Sequence, residues 1–152
     1  LIHQPAYNMF NRWVEDGLLD ILTEEGIGCI AFSPLAQGQL TDRYLGGIPT
    51  GARATKTERV WLTPDDVKKN LPKAKKLNEL AKQRGQSLAQ MAIAWTLRCP
   101  EVTSAIVGAR SPKQIEETAP AGDWRLNGAQ IAEVDELLAR HATALARLTT
   151  PA

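Results

Sequence analysis

The chain has 152 residues, 43% of them hydrophobic and 23% charged, with a formal net charge of +1. That composition can bury a core, and it excludes a disordered tail, a collagen-like fibre and an acidic solvating segment. No apolar run reaches the roughly 18 residues of a membrane span, and no basic-then-apolar leader follows Leu1, so neither a membrane segment nor a signal peptide is expected.

Residues 1–3 read as the end of a strand. Over residues 13–25 the side chains Val14, Leu18, Leu19, Ile21 and Leu22 recur on one side, which predicts a helix ended by Gly26. Residues 27–32 are a short apolar run stopped by Ser33-Pro34, the pattern of a buried strand. Residues 35–64 are dense in glycine with few periodic cues, so an irregular stretch is expected. From Leu71 onward Leu71, Ala74, Leu77, Leu80 and Ala81 fall at helical spacing, with Lys73, Lys75, Lys76 and Lys82 on the other faces, and Gly85 closes that helix. Ser87 and Gln90 make a capping box that opens a second helix through Arg98. Residues 103–107 read as another strand, halted by Gly108. Ser111 and Gln114 form a further capping box with Pro112 at the first helical position. A last amphipathic helix starts near Asn127 and runs through Leu145.

Residues 51–84 carry ten bases against four acids. No aromatics interleave with those lysines, so the block reads as a solvated helix face and not as a nucleic-acid site. Cys29 and Cys99 have no Cys or His at metal-ligand spacing, which favours two reduced, mostly buried thiols over a disulfide or a reactive thiol. His3 and His141 are isolated in the same way, read as structural or surface histidines, and no metal site is expected.

Strands alternating with helices predict an α/β fold with a parallel sheet. Three strands are too few for a finished (β/α) barrel of about 250 residues, and the arithmetic fits part of one. The first residue, Leu1 and not Met, fits a piece of a longer chain. Ligands in such folds meet the carboxyl ends of strands. Three segments qualify, those starting at Gln4, Ser33 and Gly108. At the third, a strand turns through Gly108 into a helix start beside Arg110, an arrangement that favours an anion such as a phosphate. The rival reading is a plain strand-to-helix turn, and Ser33-Pro34 carries the same ambiguity. Arg43 and Arg53 suit either a phosphate clamp or ordinary surface charge. No hydrolase triad, zinc-protease helix, P-loop or glycine-rich dinucleotide fingerprint is present. Tyr7 and Tyr44, the only tyrosines, have no Lys or His near them in sequence, and no catalytic residue is assigned.

Several segments carry a resemblance. Residues 4–12 (Gln-Pro-Ala-Tyr-Asn-Met-Phe-Asn-Arg), 31–38 (Ala-Phe-Ser-Pro-Leu-Ala-Gln-Gly), 46–49 (Gly-Gly-Ile-Pro), 88–95 (Leu-Ala-Gln-Met-Ala-Ile-Ala-Trp) and 106–110 (Ile-Val-Gly-Ala-Arg) are similar, in order and spacing, to the C-terminal half of an aldo-keto reductase. The branch resembled is that of the bacterial L-glyceraldehyde 3-phosphate reductases and the potassium-channel β subunits. The resemblance implies a TIM barrel of which residues 1–152 supply about strands six to eight with their helices, the N-terminal half being absent. It implies NADPH-dependent reduction of small aldehydes and ketones, in the cytoplasm, with the Asp, Tyr, Lys and His catalytic set on earlier strands. By the same resemblance Gln4 meets the nicotinamide amide and Phe32 stacks on its ring. Ser33, Pro34, Leu35, Ala36, Gln37 and Gly38 wrap the pyrophosphate, with Arg43 in a lysine's place and Arg53 on a covering loop. Gly108, Arg110, Gln114, Glu117 and Thr118 surround the 2′-phosphate and adenosine, Thr118 replacing an asparagine. Gln114 has two rival uses, as a capping residue or as a phosphate contact. The resemblance implies two further alternatives, an NADPH-binding regulatory subunit of a membrane channel and an inactive truncated remnant. A small carbonyl substrate is the expected partner, with neither nucleic acid nor membrane. Self-association, as a homo-oligomer or through open sheet edges, is also expected.

Overall fold

The computed structural model describes residues 1–55 and 61–148, with side chains as far as residue 139. The His141 side chain therefore lies outside the described residues. Three strands, β1 (Ile2–His3), β2 (Gly28–Phe32) and β3 (Val102–Ile106), form one parallel sheet in the order β1-β2-β3. Ile2 pairs with Gly28 and Phe32 with Ile106, and the ladder slips between Cys29 and Ile30.

Although β2 is almost wholly apolar, as parallel strands are, its burial alternates. Cys29 and Ala31 are fully buried, whereas Phe32 is 39% exposed. Cys29 and Ala31 face a core shared with α1 (Leu18–Glu24), α2 (Pro64–Gln83), α3 (Leu88–Thr96) and α5 (Gly128–Leu148). By the two-residue period of a strand, Gly28, Ile30 and Phe32 point the other way, with Ile2 of β1 and with Ser104 and Ile106 of β3. Ile2, Phe32 and Ile106 are exposed there, so among the described residues one sheet face is covered and the other is open.

The helices follow from their caps and stripes. Ser87 accepts from the Gln90 amide and Gln90 returns the bond to the Ser87 amide, the expected box at the start of α3. All of α3 except Gln90 is buried, so α3 is a core helix. In α2, Ala74, Leu77, Leu80 and Ala81 are buried while Lys75, Lys76 and Lys82 are exposed. The chain leaves α2 through two bonds, Gln86 N–H to the Ala81 carbonyl and Gly85 N–H to that of Lys82, which satisfy carbonyls of the last turn. Both cysteines are unpaired, and burial together with nearby Cys99 raises the Cys29 thiol pKa.

Two expectations are corrected. Residues 13–25 are not one helix: a 3-10 turn spans Trp13–Glu15, Gly17 adopts φ +83°, and α1 begins only at Leu18. That break resets the phase and leaves Ile21 55% exposed, although it shares the apolar stripe in a helical projection. By contrast, α2 begins at Pro64, where the irregular stretch was expected to end, because Thr63 caps the Asp66 amide and the Asp66 carboxylate takes the Thr63 amide. Its first turn is polar, and Val67 opens its buried stripe. Lastly, α4 (Pro112–Thr118) has Pro112 at its first position, but Ser111 makes no side-chain cap there. The end of α3 at Thr96 instead of Arg98 is a smaller difference, within the fraying of a last turn.

Candidate functional site

A cleft of about 790 Å³ opens at the carboxyl ends of β2 and β3. One wall is the segment after β2, from Ser33 to Gly38 and on to Arg43. The loop of residues 49–53 forms a second, and the segment after β3, from Ile106 to Arg110, continues into α4 as a third. The structure thus brings twelve of the singled-out residues to one cavity: Ser33, Pro34, Leu35, Gln37, Gly38, Arg43, Arg53, Gly108, Arg110, Gln114, Glu117 and Thr118. Ala36 lies behind that wall, 7% exposed and packed into the core. Gln4 and Phe32 stand at the neighbouring strand ends, outside the cleft lining. They are brought near each other by a bridge between Ala6 and Phe32 and by the Phe32 amide donating to the Pro5 carbonyl.

The turn after β2 is conformationally unusual. Ser33, Ala36 and Gln37, none of them glycine, have φ of +55°, +46° and +58°. Left-handed backbone costs a non-glycine residue about 1–2 kcal/mol, and such residues cluster at functional sites. Hydrogen bonds hold the turn closed, from the Ala36 amide to the Ser33 carbonyl and from the Gly38 and Leu40 amides to the Leu35 carbonyl. Alternation of right-handed Leu35 with left-handed Ala36 is the backbone pattern that curls amides into an anion-binding concavity. Gly38 has φ +96°, a backbone that side chains rarely adopt, so glycine is needed there for conformation and not for space. The Gln37 side-chain Nε2 donates to the Trp61 carbonyl at 2.8 Å and ties this wall to the approach to α2.

Positive charge gathers at the cleft. Arg43, Arg53 and Arg110 are all exposed, and none has a carboxylate within salt-bridge distance among the described residues. Asp42 and Glu117 also line the cleft, so among the described residues three arginines face two acids. On the opposite wall Gln114 Oε1 accepts from the Arg110 amide at 2.7 Å, one residue ahead of the expected capping bond, and this fixes the turn that carries Arg110. Gln90, besides capping α3, donates to the Glu117 carbonyl at 2.8 Å. No residue of α4 is buried, so this bond from the core helix α3 is a main tie for that wall. Sequence reading missed Thr41, the loop of residues 49–52, Ala89 and Val107 as lining residues. Of these only Ala89, one residue past the Ser87 cap, carries any local signal. The others are brought in by the path of the loop.

A second polar cluster lies away from the cleft. The Tyr7 hydroxyl donates to Glu15 at 2.6 Å and accepts from Arg98 at 2.6 Å; Arg98 also reaches Glu15, and Arg12 bridges Glu15 to Asp135 of α5. Trp95 lies under the Arg98 guanidinium, 3.6 Å from its ring centre. Burial, with the bond to Glu15, pushes the Tyr7 hydroxyl far above the usual range and keeps it protonated. Burial would raise the Glu15 carboxyl, but the bonds from Arg12, Tyr7 and Arg98 outweigh it and hold the pKa below its usual value. These bonds make the cluster a structural tie between the segment after β1, the end of α3 and α5.

Comparison with known proteins gives the family and the fold. A family model described as the aldo/keto reductase family matches residues 1–139. An L-glyceraldehyde 3-phosphate reductase of Escherichia coli is 47% identical over 144 residues, covering 91% of this chain and 42% of that protein. A putative voltage-gated potassium channel subunit beta of Schizosaccharomyces pombe is 35% identical over 141 residues, covering 89% of this chain and 41% of its own length. Among solved structures, a glycerol dehydrogenase from Gluconobacter oxydans superposes with a TM-score of 0.79 at 26% identity, over 92% of this chain and 42% of that one. The chain therefore spans about two fifths of the length of these relatives.

Proposed function

The chain belongs to the aldo/keto reductase family, and on that premise we propose that it forms the NADP(H)-holding, C-terminal part of a reductase barrel acting on small aldehydes and ketones. The observation that carries this reading is the cleft. A turn with left-handed backbone and three arginines that have no carboxylate partner among the described residues surround one cavity at the carboxyl ends of β2 and β3. A dinucleotide needs such surroundings, with amides and cations for its phosphates and room for its sugars.

In this reading the turn of residues 33–38 and Arg43 hold the pyrophosphate, and Arg53 closes over it. Arg110, with Gln114, Glu117 and Thr118, holds the 2′-phosphate and adenosine, which favours NADP(H) over NAD(H). Phe32, partly exposed at the end of β2, offers its ring to the nicotinamide, and Gln4 beside it offers an amide. The cofactor supplies hydride to the carbonyl carbon. These residues bind and orient. The proton donor belongs to the family's Asp, Tyr, Lys and His set, which the resemblance assigns to strands outside these 152 residues. Two unpaired cysteines suit a reducing, cytoplasmic setting.

The likeness to a channel β subunit favours one second reading, a chain that binds NADPH as a regulator with little turnover. Calorimetric titration of the chain with NADPH and with NADH tests the main reading. Binding of NADPH about tenfold or more tighter than NADH supports it, since a paired 2′-phosphate is worth roughly 1.5–3 kcal/mol. No heat with either nucleotide overturns it. Aldehyde-dependent oxidation of NADPH by the whole protein separates the enzyme from the regulator.

A further inference from the structure

We propose that Asn8, a residue outside the cleft lining, is the positioning residue that holds the nucleotide-binding turn in its left-handed form; this rests on reading the cleft as a nucleotide site. Asn8 is 5% exposed, and each of its four polar groups is used. Its backbone N–H and C=O exchange bonds of 3.1 and 3.0 Å with Asn11, which closes a tight reversal of the chain. The side-chain Oδ1 accepts from the Phe10 amide at 2.9 Å, which fixes the plane of the carboxamide. With the side chain fixed this way, Nδ2 has one direction left and donates to the Ser33 carbonyl at 2.9 Å.

That carbonyl is where the turn is anchored. It also accepts from the Ala36 amide at 3.0 Å, so one oxygen takes a bond from inside the turn and one from Asn8 outside it. Ser33 is itself left-handed, and the residue after it is Pro34, which has no N–H to secure the chain on that side. The preceding ladder prepares the contact, since the Tyr7 amide donates to the Phe32 carbonyl and the Phe32 amide to the Pro5 carbonyl. Segments 5–8 and 32–33 are therefore zipped together, and Asn8 makes the last tooth. Without its donor the Ser33 carbonyl keeps only the bond from Ala36 inside the turn, Ser33 relaxes toward ordinary backbone, and the wall of the cleft built on the turn shifts with it.

The test is a cycle with a readout that a merely structural residue would not move. Asn8→Asp keeps the oxygen that receives the Phe10 amide but sets a carboxylate oxygen against the Ser33 carbonyl. NADPH affinity by calorimetry falls about tenfold, the equivalent of one lost buried hydrogen bond. Glycine adopts positive φ without help, so the same Asn8→Asp change in a Ser33→Gly background costs less than about twofold. Equal losses in the two backgrounds, or no loss in the parent, overturn the proposal. If Asn8→Asp does not fold, Asn8→Ser gives the same comparison. A ligand-free readout separates this proposal from the cofactor reading. By NMR, Ser33 shows the short intraresidue Hα–HN distance of left-handed backbone in the parent and loses it in Asn8→Asp. If the parent binds no NADPH but this signature is lost on substitution, the cofactor reading fails and the positioning role stands. If the signature persists in the variant, the positioning role fails.

Discussion

At the scale of single residues, the polar cluster and the arginines make distinct predictions. Glu15 receives Tyr7, Arg12 and Arg98, and its folded pKa lies below its ordinary value of 4.5. Its stabilising contribution is therefore complete above that value and is lost as pH falls through the lower, folded value. Glu15→Gln removes the charge from three donors and is expected to cost about 2 kcal/mol at neutral pH by urea denaturation. The variant's acid arm is correspondingly shallower. The Tyr7 hydroxyl is shifted upward, so its contribution is complete below the ordinary value of 10.0 and fades as pH rises beyond it. Tyr7→Phe should flatten that alkaline loss. At the cleft, Arg110→Ala is expected to weaken NADPH binding about tenfold and leave NADH unchanged, if this side chain meets the 2′-phosphate. Equal weakening of both nucleotides would place Arg110 elsewhere. The residue types at the cleft were legible in the sequence, because Arg43, Arg53 and Arg110 follow strand ends or sit in a glycine-rich loop. Asn8 was not legible. Nothing local distinguishes it from Asn11, and its partner Ser33 is 25 positions away.

At the scale of elements, caps decide where helices begin and ties decide how firmly they sit. Thr63 and Asp66 satisfy each other's amides at the start of α2. Thr63→Ala is expected to cost about 1 kcal/mol in thermal or chemical denaturation, the usual worth of an N-cap. Ser87→Ala should cost a similar amount for α3 and in addition loosen Gln90, whose other bond reaches the Glu117 carbonyl. A contrast in dynamics follows. No residue of α4 is buried, whereas eight of the nine residues of α3 are. Amides of residues 113–118 should exchange with deuterium far faster than those of Leu88–Thr96, and NADPH should slow the former selectively. Equal protection in the ligand-free chain would contradict this. The sequence read α3 well because cap, apolar run and burial all agree there. It misread residues 13–25, where a helical stripe is interrupted by Gly17.

At the scale of the whole molecule, the sheet has one covered face and one open face among the described residues. Ile2 is 66%, Phe32 39% and Ile106 46% exposed on the open side. Exposed apolar surface of this kind associates with whatever it fits, so the chain studied by itself is expected to self-associate with rising concentration in sedimentation or light scattering. Ile106→Lys should reduce that association without changing α2 or α3, which lie on the other side. A cooperative thermal melt of a strictly monomeric chain would contradict this expectation. Among the described residues, no helix is long and apolar enough to cross a membrane.

The sequence by itself determined the alternation of strands and helices, the helix ends at Gly26, Gly85 and Ser87, and the family. Each of these depends on neighbouring residues, whose spacing and capping chemistry are local. Only the tertiary structure decided which residues meet. The strand register places Phe32 beside Ile106, the closed turn sets Ser33 and Ala36 in strained backbone, and one cleft collects residues from positions 33 to 118. Those pairings join segments far apart in the chain. Their free energy comes from packing and from hydrogen bonds that exist only once the sheet has formed, so no local pattern could announce them.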